Sequence, residues 1–568
     1  MFVKKNSCKN GRVLLVFTKG YRENGKVKHK NIETIGYLDD LQKIYPDPLA
    51  HFRAIAKQRT EEEEHVPIMI NTKSKLTDGN TRKNMGYIFL QKLYYLLDID
   101  GFLSKKHRKE NVEYRLNDAL RLLVYSRIQN PSSIKKAYEN KDRYFEKFDF
   151  SLKDLYRSLD LLLSYKTELI THLNQAITSG IGRDASITYY DCTNYYFEIN
   201  YSDEDITDEN GNVIQKGLRK KGPEKNNRPD PIVMLGLLLD KNGIPMNYDI
   251  FPGNESEKLT LLPLLRETKK KFNLQKVVIV ADKGLNTSDN IFYNNTDNSG
   301  YIYSKSIRGA DSEFKDWALT PWEDMSIAKS RIHTFDITIE RDEKRNTKYT
   351  VIQKQVVYYS QNYADRARNQ RNETIRKANS LIKNPGKYNR ATSVGAAGYV
   401  INLEFDKKTG VILERELKLD REKIKEEEKL DGYYAIVTSE VEMSDNEIIE
   451  AYKGLWRIED SFRVTKTEFK ARPVYLSTED HIRAHFFVCY ISLLIMRLLE
   501  LQLDRKYSPN QIVETLENCA CTYVEQNYYL FNYRNDLLKD LEAAFRVDLG
   551  QKYLRLSQIK QISSNSKK

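Results

Sequence analysis

Apolar and polar positions alternate over residues 11–37, in short apolar runs (Val13 to Phe17, then Ile32 to Tyr37) around glycine-containing turns such as Asn24-Gly25. That pattern predicts a small β-hairpin unit, followed by a helix to about residue 60. An acidic run, Glu61 to Glu64, opens a linker reaching residue 80. From 81 to 180 the apolar period lengthens. Leu90, Leu93, Leu96 and Leu97, then Leu116, Leu120, Leu123 and Val124, then Leu155, Leu159, Leu162 and Leu163 recur at helical spacing, which predicts a helical domain.

The texture changes at residue 186. Ser186 to Phe197 is rich in β-branched and aromatic residues and predicts a strand. Further strands are predicted at Pro231 to Asp240, Ile244 to Phe251, Lys276 to Asp282 and Gly300 to Lys305, with a helix over Leu259 to Phe272. Three strands, a helix, a strand, a helix and a strand describe a mixed α/β sheet that begins as a meander. Residues 311–431 interrupt it with strand-like segments (Arg331 to Glu340, Tyr349 to Tyr359, Tyr399 to Phe405, Gly410 to Leu419) and a charged helix near 362–383. At 432 the core resumes with Gly-Tyr-Tyr-Ala-Ile-Val437. Ser444 and Glu447 form a capping box, opening a helix that should run through Glu459 to about Thr467. The predicted division is therefore a basic hairpin and helix unit (1–60), a linker (61–80), a helical domain (81–180), a core in two parts (181–310 and 432–500), a β-rich insertion (311–431), and C-terminal helices with a frayed tail (501–568).

Charge sharpens this picture. The chain of 568 residues carries a net +12. Residues 1–35 hold nine Lys/Arg against Glu23 and Glu33, and residues 216–228 hold six against Glu224. Clustered basicity suits a polyanion, because each neutralised phosphate releases counterions. The longest apolar run, Phe486 to Met496, is eleven residues, short of the roughly twenty that span a bilayer, so no membrane partner is expected. The five cysteines form no C-x-x-C pair, and His481 and His485 have no carboxylate at a ligand spacing, so thiols and histidines are read as packing.

Three acids carry the chemistry. Asp191 lies within an apolar strand, Asp282 ends another, and Glu459 sits in an amphipathic helix beside Trp456, Ile458 and Phe462. A carboxylate in an apolar setting must be paired, hydrogen-bonded or metal-bound. Three converging at a sheet edge would repel one another, and a divalent cation removes that penalty. Mg²⁺ takes such oxygen ligands, and two ions about 3.5–4 Å apart suit phosphoryl transfer. On one continuous helix, Tyr452, Arg463 and Lys466 would lie within about 40° of Glu459. That face would join a metal-binding carboxylate to cations for phosphate.

The order strand-Asp, strand-Asp, long β-rich interruption, helix-Glu resembles the DDE transposases with a ribonuclease-H-like core. The Glu helix resembles the Y-x2-R-x3-E-x6-K signature of the insertion-sequence-four superfamily, here Tyr452, Leu455, Glu459 and Lys466, with Leu455 where the signature has Arg. Trp456 to Arg463, Lys470 to Tyr475, Gly217 to Lys221, Arg228 to Pro231 and Phe251-Pro-Gly-Asn254 resemble its branch with long β insertions. The resemblance implies an α/β multidomain protein with a split ribonuclease-H-like core. It implies catalytic and metal-binding roles for Asp191, Asp282 and Glu459, with Tyr452, Arg463, Lys466 and Lys283 as phosphate contacts or site support. It further implies two Mg²⁺ ions, with Mn²⁺ as a substitute. The partners it implies are the element's terminal inverted repeats and target DNA, bound by a homodimer in a synaptic complex. The implied setting is the cytoplasm of a bacterium or archaeon, at the nucleoid. The implied activity is nicking followed by 3′-hydroxyl strand transfer. A metal-dependent nuclease on the same core, or an inactive DNA-binding descendant, are the alternatives. Trp317 and Trp322, in the insertion, are read as packing residues.

Overall fold

The computed structural model describes residues 1–8, 11–23, 26–61, 73, 75, 82–110, 113–223, 229–342, 345–384, 395–401, 404–405, 412–414 and 417–568. The Asn24-Gly25 turn and nearly all of the 61–80 linker lie outside them. The chain divides into two compact units. The first takes residues 1–92, 140–147 and 514–568, and the second takes 93–139 and 148–513.

In the first unit, strands Phe2–Ser7, Val13–Glu23 and Lys26–Tyr37 form an antiparallel sheet. Its apolar residues Leu15, Val16 and Phe17 are buried, and the edge of the Phe52 ring of helix Pro48–Glu61 meets Phe17 at 6.2 Å. The C-terminal segment holds expected helices, among them Asp536–Phe545 and Leu556–Asn565, and adds strands that were not expected. It contributes strands Ala520–Tyr523, Tyr528–Phe531 and Tyr553–Arg555 to a sheet completed by Arg82–Asn84. Nor is its end frayed. Gln91 donates to the Ser563 carbonyl at 2.9 Å and to the Ser566 hydroxyl at 2.7 Å, and Lys567 pairs with Glu146 at 2.9 Å. Small serines let the last turn sit against a buried amide, which overrides the tail's polar composition.

The second unit begins with helices that include α1 (Leu116–Gln129) and α2 (Leu152–Ser164), the latter opened by a capping box from Ser151 to Asp154. The expected helical domain at 81–180 is therefore not a domain apart: most of it belongs to the unit that holds the large sheet. That sheet has eight strands: β1 (Ile187–Tyr196), β2 (Ile232–Asp240), β3 (Pro245–Pro252), β4 (Val278–Ala281), β5 (Gly300–Lys305), β6 (Lys329–Asp342), β7 (Arg345–Tyr359) and β8 (Tyr433–Thr438), in the order β6-β7-β8-β5-β4-β1-β2-β3. β1, β2 and β3 form the expected antiparallel meander, and β4 and β5 run parallel to β1. The order β3-β2-β1-β4-β5 is the ribonuclease-H-like arrangement, with α3 (Leu261–Phe272) and α4 (Ser288–Thr296) as crossovers.

The β-rich insertion is not wholly separate from this sheet. Its hairpin β6/β7 pairs through β7 with β8 and extends the core by two strands. The remainder holds the charged helix Gln361–Lys383, tied by a bidentate pair from Arg371 to Asp431 at 2.6 and 2.7 Å. The long β strands alternate in period 2 in the sequence, but only pairing partners decide which sheet they join.

Three helices complete the unit: α5 (Asp445–Lys453), α6 (Trp456–Thr467) and α7 (Glu479–Gln502). α7 is long and apolar enough to cross a membrane, yet 89% of its apolar window is buried inside the protein. Helices hydrophobic on all sides belong in cores. Tyr195 meets Phe486 edge-on at 4.8 Å, and Tyr490 donates to the Met246 carbonyl at 2.8 Å. His485, on the same helix, is buried within reach of Arg127, and Cys192, Cys489, Cys519 and Cys521 are buried.

Candidate catalytic site

The sheet's register brings the first two carboxylates together. β1 and β4 pair as Ile187 with Val278, Thr188 with Ile279 and Tyr189 with Val280. Continuing that register two residues sets Asp191 beside Asp282, on strands about 4.8 Å apart and on the same face. On β5 the matching position is Ser304, whose hydroxyl donates to Asp282 Oδ1 at 2.8 Å. The opposite face carries Tyr190, Cys192, Ile279, Ala281, Tyr301 and Tyr303, all in the core. Alternation thus explains the acid in an apolar strand: its neighbours in sequence face the core, while Asp191 faces the other way.

That second face is covered by α6, which lies along β1. Gly454, just before the helix, sits so close to Tyr189 that a Cβ there would be 1.9 Å from the phenol oxygen. The Thr465 and Tyr195 hydroxyls are 2.6 Å apart, and the Lys466 ammonium donates to Thr193. With residues 454, 465 and 466 held at 189, 195 and 193, Glu459 falls opposite Asp191. Electrostatics agree. Burial first, then the charges of Glu257, Asp282 and Glu459, raise the Asp191 carboxyl to about 7 against the opposing pull of the Cys192 backbone N–H.

Two details differ from the sequence reading. Asp282 and Glu459 are exposed, and only Asp191 is largely shielded from water. The helix opened by Ser444 also breaks in two at Gly454 and Leu455, where the bonds tighten to i→i+3: Leu455 to the Tyr452 carbonyl at 3.0 Å, and Arg457 to that of Gly454 at 3.1 Å. A three-residue turn advances about 20° more per residue than an α turn. Tyr452 is thereby left on α5 and not on the helix that carries Glu459. It is 7% exposed, and its hydroxyl lies 3.0 Å from that of Tyr434.

The cations divide. Lys466 is at the site through Thr193, and Lys283 is exposed next to Asp282. Arg463 is not brought to the carboxylates. Its guanidinium donates to Asp460 at 2.8 Å and Glu468 at 3.0 Å. At the signature's departure, Leu455, the neighbouring Arg457 stands over the Tyr189 ring at 5.8 Å. Trp317 and Trp322 pack on a small core of Ile307, Phe314, Ala318, Val357 and Ala435, with Lys329 over both rings.

Sequence reasoning missed Glu257. It follows β3 in a short 3-10 turn, and its carboxylate oxygen would lie 3.6 Å from a Cβ placed on Gly284. The signal was its place three residues beyond Phe251-Pro-Gly-Asn254, where an acid returns toward the strand ends.

As the side chains stand, no group of three His, Cys, Asp or Glu among the described residues is drawn together to the spacing of metal ligands. The donor chemistry nonetheless suits a divalent cation: hard oxygen donors, a proton held on Asp191 by burial and like charge, and no cation paired with it among the described residues.

Comparison with known proteins is consistent with this geometry. Residues 217–495 match the model of the transposase DDE domain, and residues 3–67 match that of the IS1634 family transposase N-terminal domain. The first match contains Asp282 and Glu459 and begins after Asp191. No curated protein matches. Among solved structures, a piggyBac transposase synaptic complex with hairpin DNA covers 86% of this chain and 88% of its own, at 7% identity and a TM-score of 0.35. A Mos1 transposase paired-end complex covers 45% and 68%, at 11% identity and a TM-score of 0.15. Neither score relates the folds closely.

Proposed function

Given that this chain belongs to the DDE transposases of insertion sequences, we propose that Asp191, Asp282 and Glu459 are its catalytic carboxylates and cut and join DNA at the ends of its own element. The observation that carries this reading is the shared row of Asp191 and Asp282, with Glu459 facing it from α6. The three would hold Mg²⁺ ions, or Mn²⁺ in their place. When bound, such ions lower the pKa of water and stabilise charge on phosphate oxygens.

The chain's own residues do the rest. Asp191 holds a proton near neutral pH, so it must release that proton to act as a ligand. Lys466, anchored on Thr193, and Lys283, exposed beside Asp282, offer positive charge to the phosphodiester. In the first reaction water adds to phosphorus and the bond to the 3′-oxygen breaks, leaving a 3′-hydroxyl. In the second that hydroxyl's oxygen bonds a target phosphorus, the target's own 3′-oxygen leaves, and the proton given up by the attacking hydroxyl is balanced by one taken from solvent to make the target's new 3′-hydroxyl. The basic N-terminal sheet and the helices that follow it are the proposed readers of the inverted repeats. A dimer bridging two ends is the proposed assembly.

The test is strand transfer. Purified protein, Mg²⁺, labelled DNA carrying the element's ends and a target plasmid are mixed, with Glu459→Gln as control. Joined product from the wild type alone is expected. Nicks without joining would favour a nuclease, and end binding with neither would favour an inactive descendant.

A further inference from the structure

Asp282 stands in the open at the end of β4, where an aspartate is free to turn, yet one of its oxygens is already held. Ser304, 4% exposed on the neighbouring strand, donates to Oδ1 at 2.8 Å. A carboxylate only accepts, so the single hydroxyl proton of Ser304 goes to Asp282. Its lone pairs remain to be satisfied. Two phenols approach Ser304 from elements far apart in sequence: Tyr434 of β8 and Tyr452 of α5 each interact with its side chain. Their own hydroxyls are 3.0 Å apart, so one donates to the other. The rings are packed in place, with Tyr434 5.6 Å from Tyr452, 5.5 Å from Tyr358 and 5.2 Å from Tyr363. Ser304, backed by this pair of phenols, is the group that holds Asp282. It fixes Oδ1 and leaves Oδ2 for a cation.

We propose that Ser304 is a positioning residue of the metal site, and that Tyr452 acts through Ser304 on Asp282 rather than on a DNA phosphate. The inference rests on Asp282 being a metal ligand, as proposed above. Burial supports it: at 7% exposure the Tyr452 hydroxyl is committed inside the protein, not offered to DNA. Partners that orient a ligand are worth about 10–100-fold in metal affinity.

The test is titration of the full chain with Mn²⁺ alone, without DNA, followed by electron paramagnetic resonance, with a thermal melt for each variant. Ser304→Ala should weaken Mn²⁺ binding by about tenfold or more, Tyr452→Phe should weaken it in the same direction, and Ser304→Thr, which keeps the hydroxyl, should restore it. In a nicking assay Ser304→Ala should raise the Mn²⁺ needed for half-maximal rate more than it lowers the rate at saturating Mn²⁺. If Asp282→Asn loses Mn²⁺ while Ser304→Ala and Tyr452→Phe bind it as the wild type does, the relay is refuted and the metal site stands. Unchanged Mn²⁺ affinity in Tyr452→Phe with weakened DNA binding would return that tyrosine to the phosphate. If Asp282→Asn binds Mn²⁺ normally, the proposed site fails and the relay with it.

Discussion

Asp191 is expected to destabilise the metal-free protein at neutral pH, so removing its charge should raise stability. Its carboxyl moves from an ordinary value of 3.8 to about 7, chiefly by burial and then by the charges of Glu257, Asp282 and Glu459. Folding therefore favours the protonated acid. That contribution is complete below about pH 4 and is lost as pH rises through about 7. The span from 3.8 to about 7, at about 1.36 kcal/mol per pH unit, amounts to about 4 kcal/mol. Asp191→Asn keeps the shape and does not titrate. In EDTA the variant should match the wild type near pH 4 and pull ahead as pH rises, by up to about 4 kcal/mol at pH 8. Domains of 150–250 residues shift by about 2–4 °C per kcal/mol and larger ones by less, so a Tm higher by roughly 4–8 °C is expected. The assay is thermal unfolding by circular dichroism at pH 5 and pH 8. Adding Mg²⁺ at pH 8 should raise the wild-type Tm and leave the variant's unchanged. A variant no more stable than the wild type at pH 8, or a gap that does not grow between the two pH values, would refute the reasoning.

Three further outcomes follow from the same structure. Asp282→Asn and Glu459→Gln should each abolish nicking while leaving end binding by gel shift within a few-fold, because both acids are exposed and neither supports the core; full nicking by either would remove it from the site. Asp240, fully buried, pairs with Arg183 at 3.2 Å, and burial shifts both groups toward neutrality more than their attraction opposes it. Asp240→Ala should thus cost about 3–5 kcal/mol in urea unfolding by leaving a buried cation unpaired, and a cost under about 1 kcal/mol would show that water already reaches the pair. His485, buried in α7, is pushed down to about 3 by burial and by Arg127. Stability from keeping it neutral is complete above about pH 6.5 and drains as pH falls toward 3, so His485→Gln should flatten the acid limb of the stability curve, and an unchanged limb would count against it.

Much of the catalytic unit was legible in the chain. β-branched, aromatic and continuous apolar runs located β1 to β5, and the run of strands and helices gave the meander and its two crossovers in the right sequence. The Ser444-Glu447 capping box set the start of α5. The proposed trio Asp191, Asp282 and Glu459 was singled out by residue type and order, because an acid interrupting an apolar strand is visible without coordinates. What pattern could not supply was partnership. The β6/β7 hairpin alternates just as a free-standing β domain would, and only its pairing with β8 makes it part of the core sheet. The tail reads as disordered until Gln91 and Glu146 take up its serines and last lysines. The single helix shared by Tyr452 and Glu459 followed from an assumed unbroken α period, and it breaks where Gly454 packs against Tyr189, a contact between residues far apart in the chain. Glu257 gained meaning only once its loop returned to Gly284. Local chemistry and periodicity are properties of neighbours in sequence, so the sequence by itself determined the elements and the acids. Register, burial and charge coupling are properties of neighbours in space, so the tertiary structure alone decided that Asp191 stands beside Asp282, that Ser304 holds it, and that Arg463 belongs elsewhere.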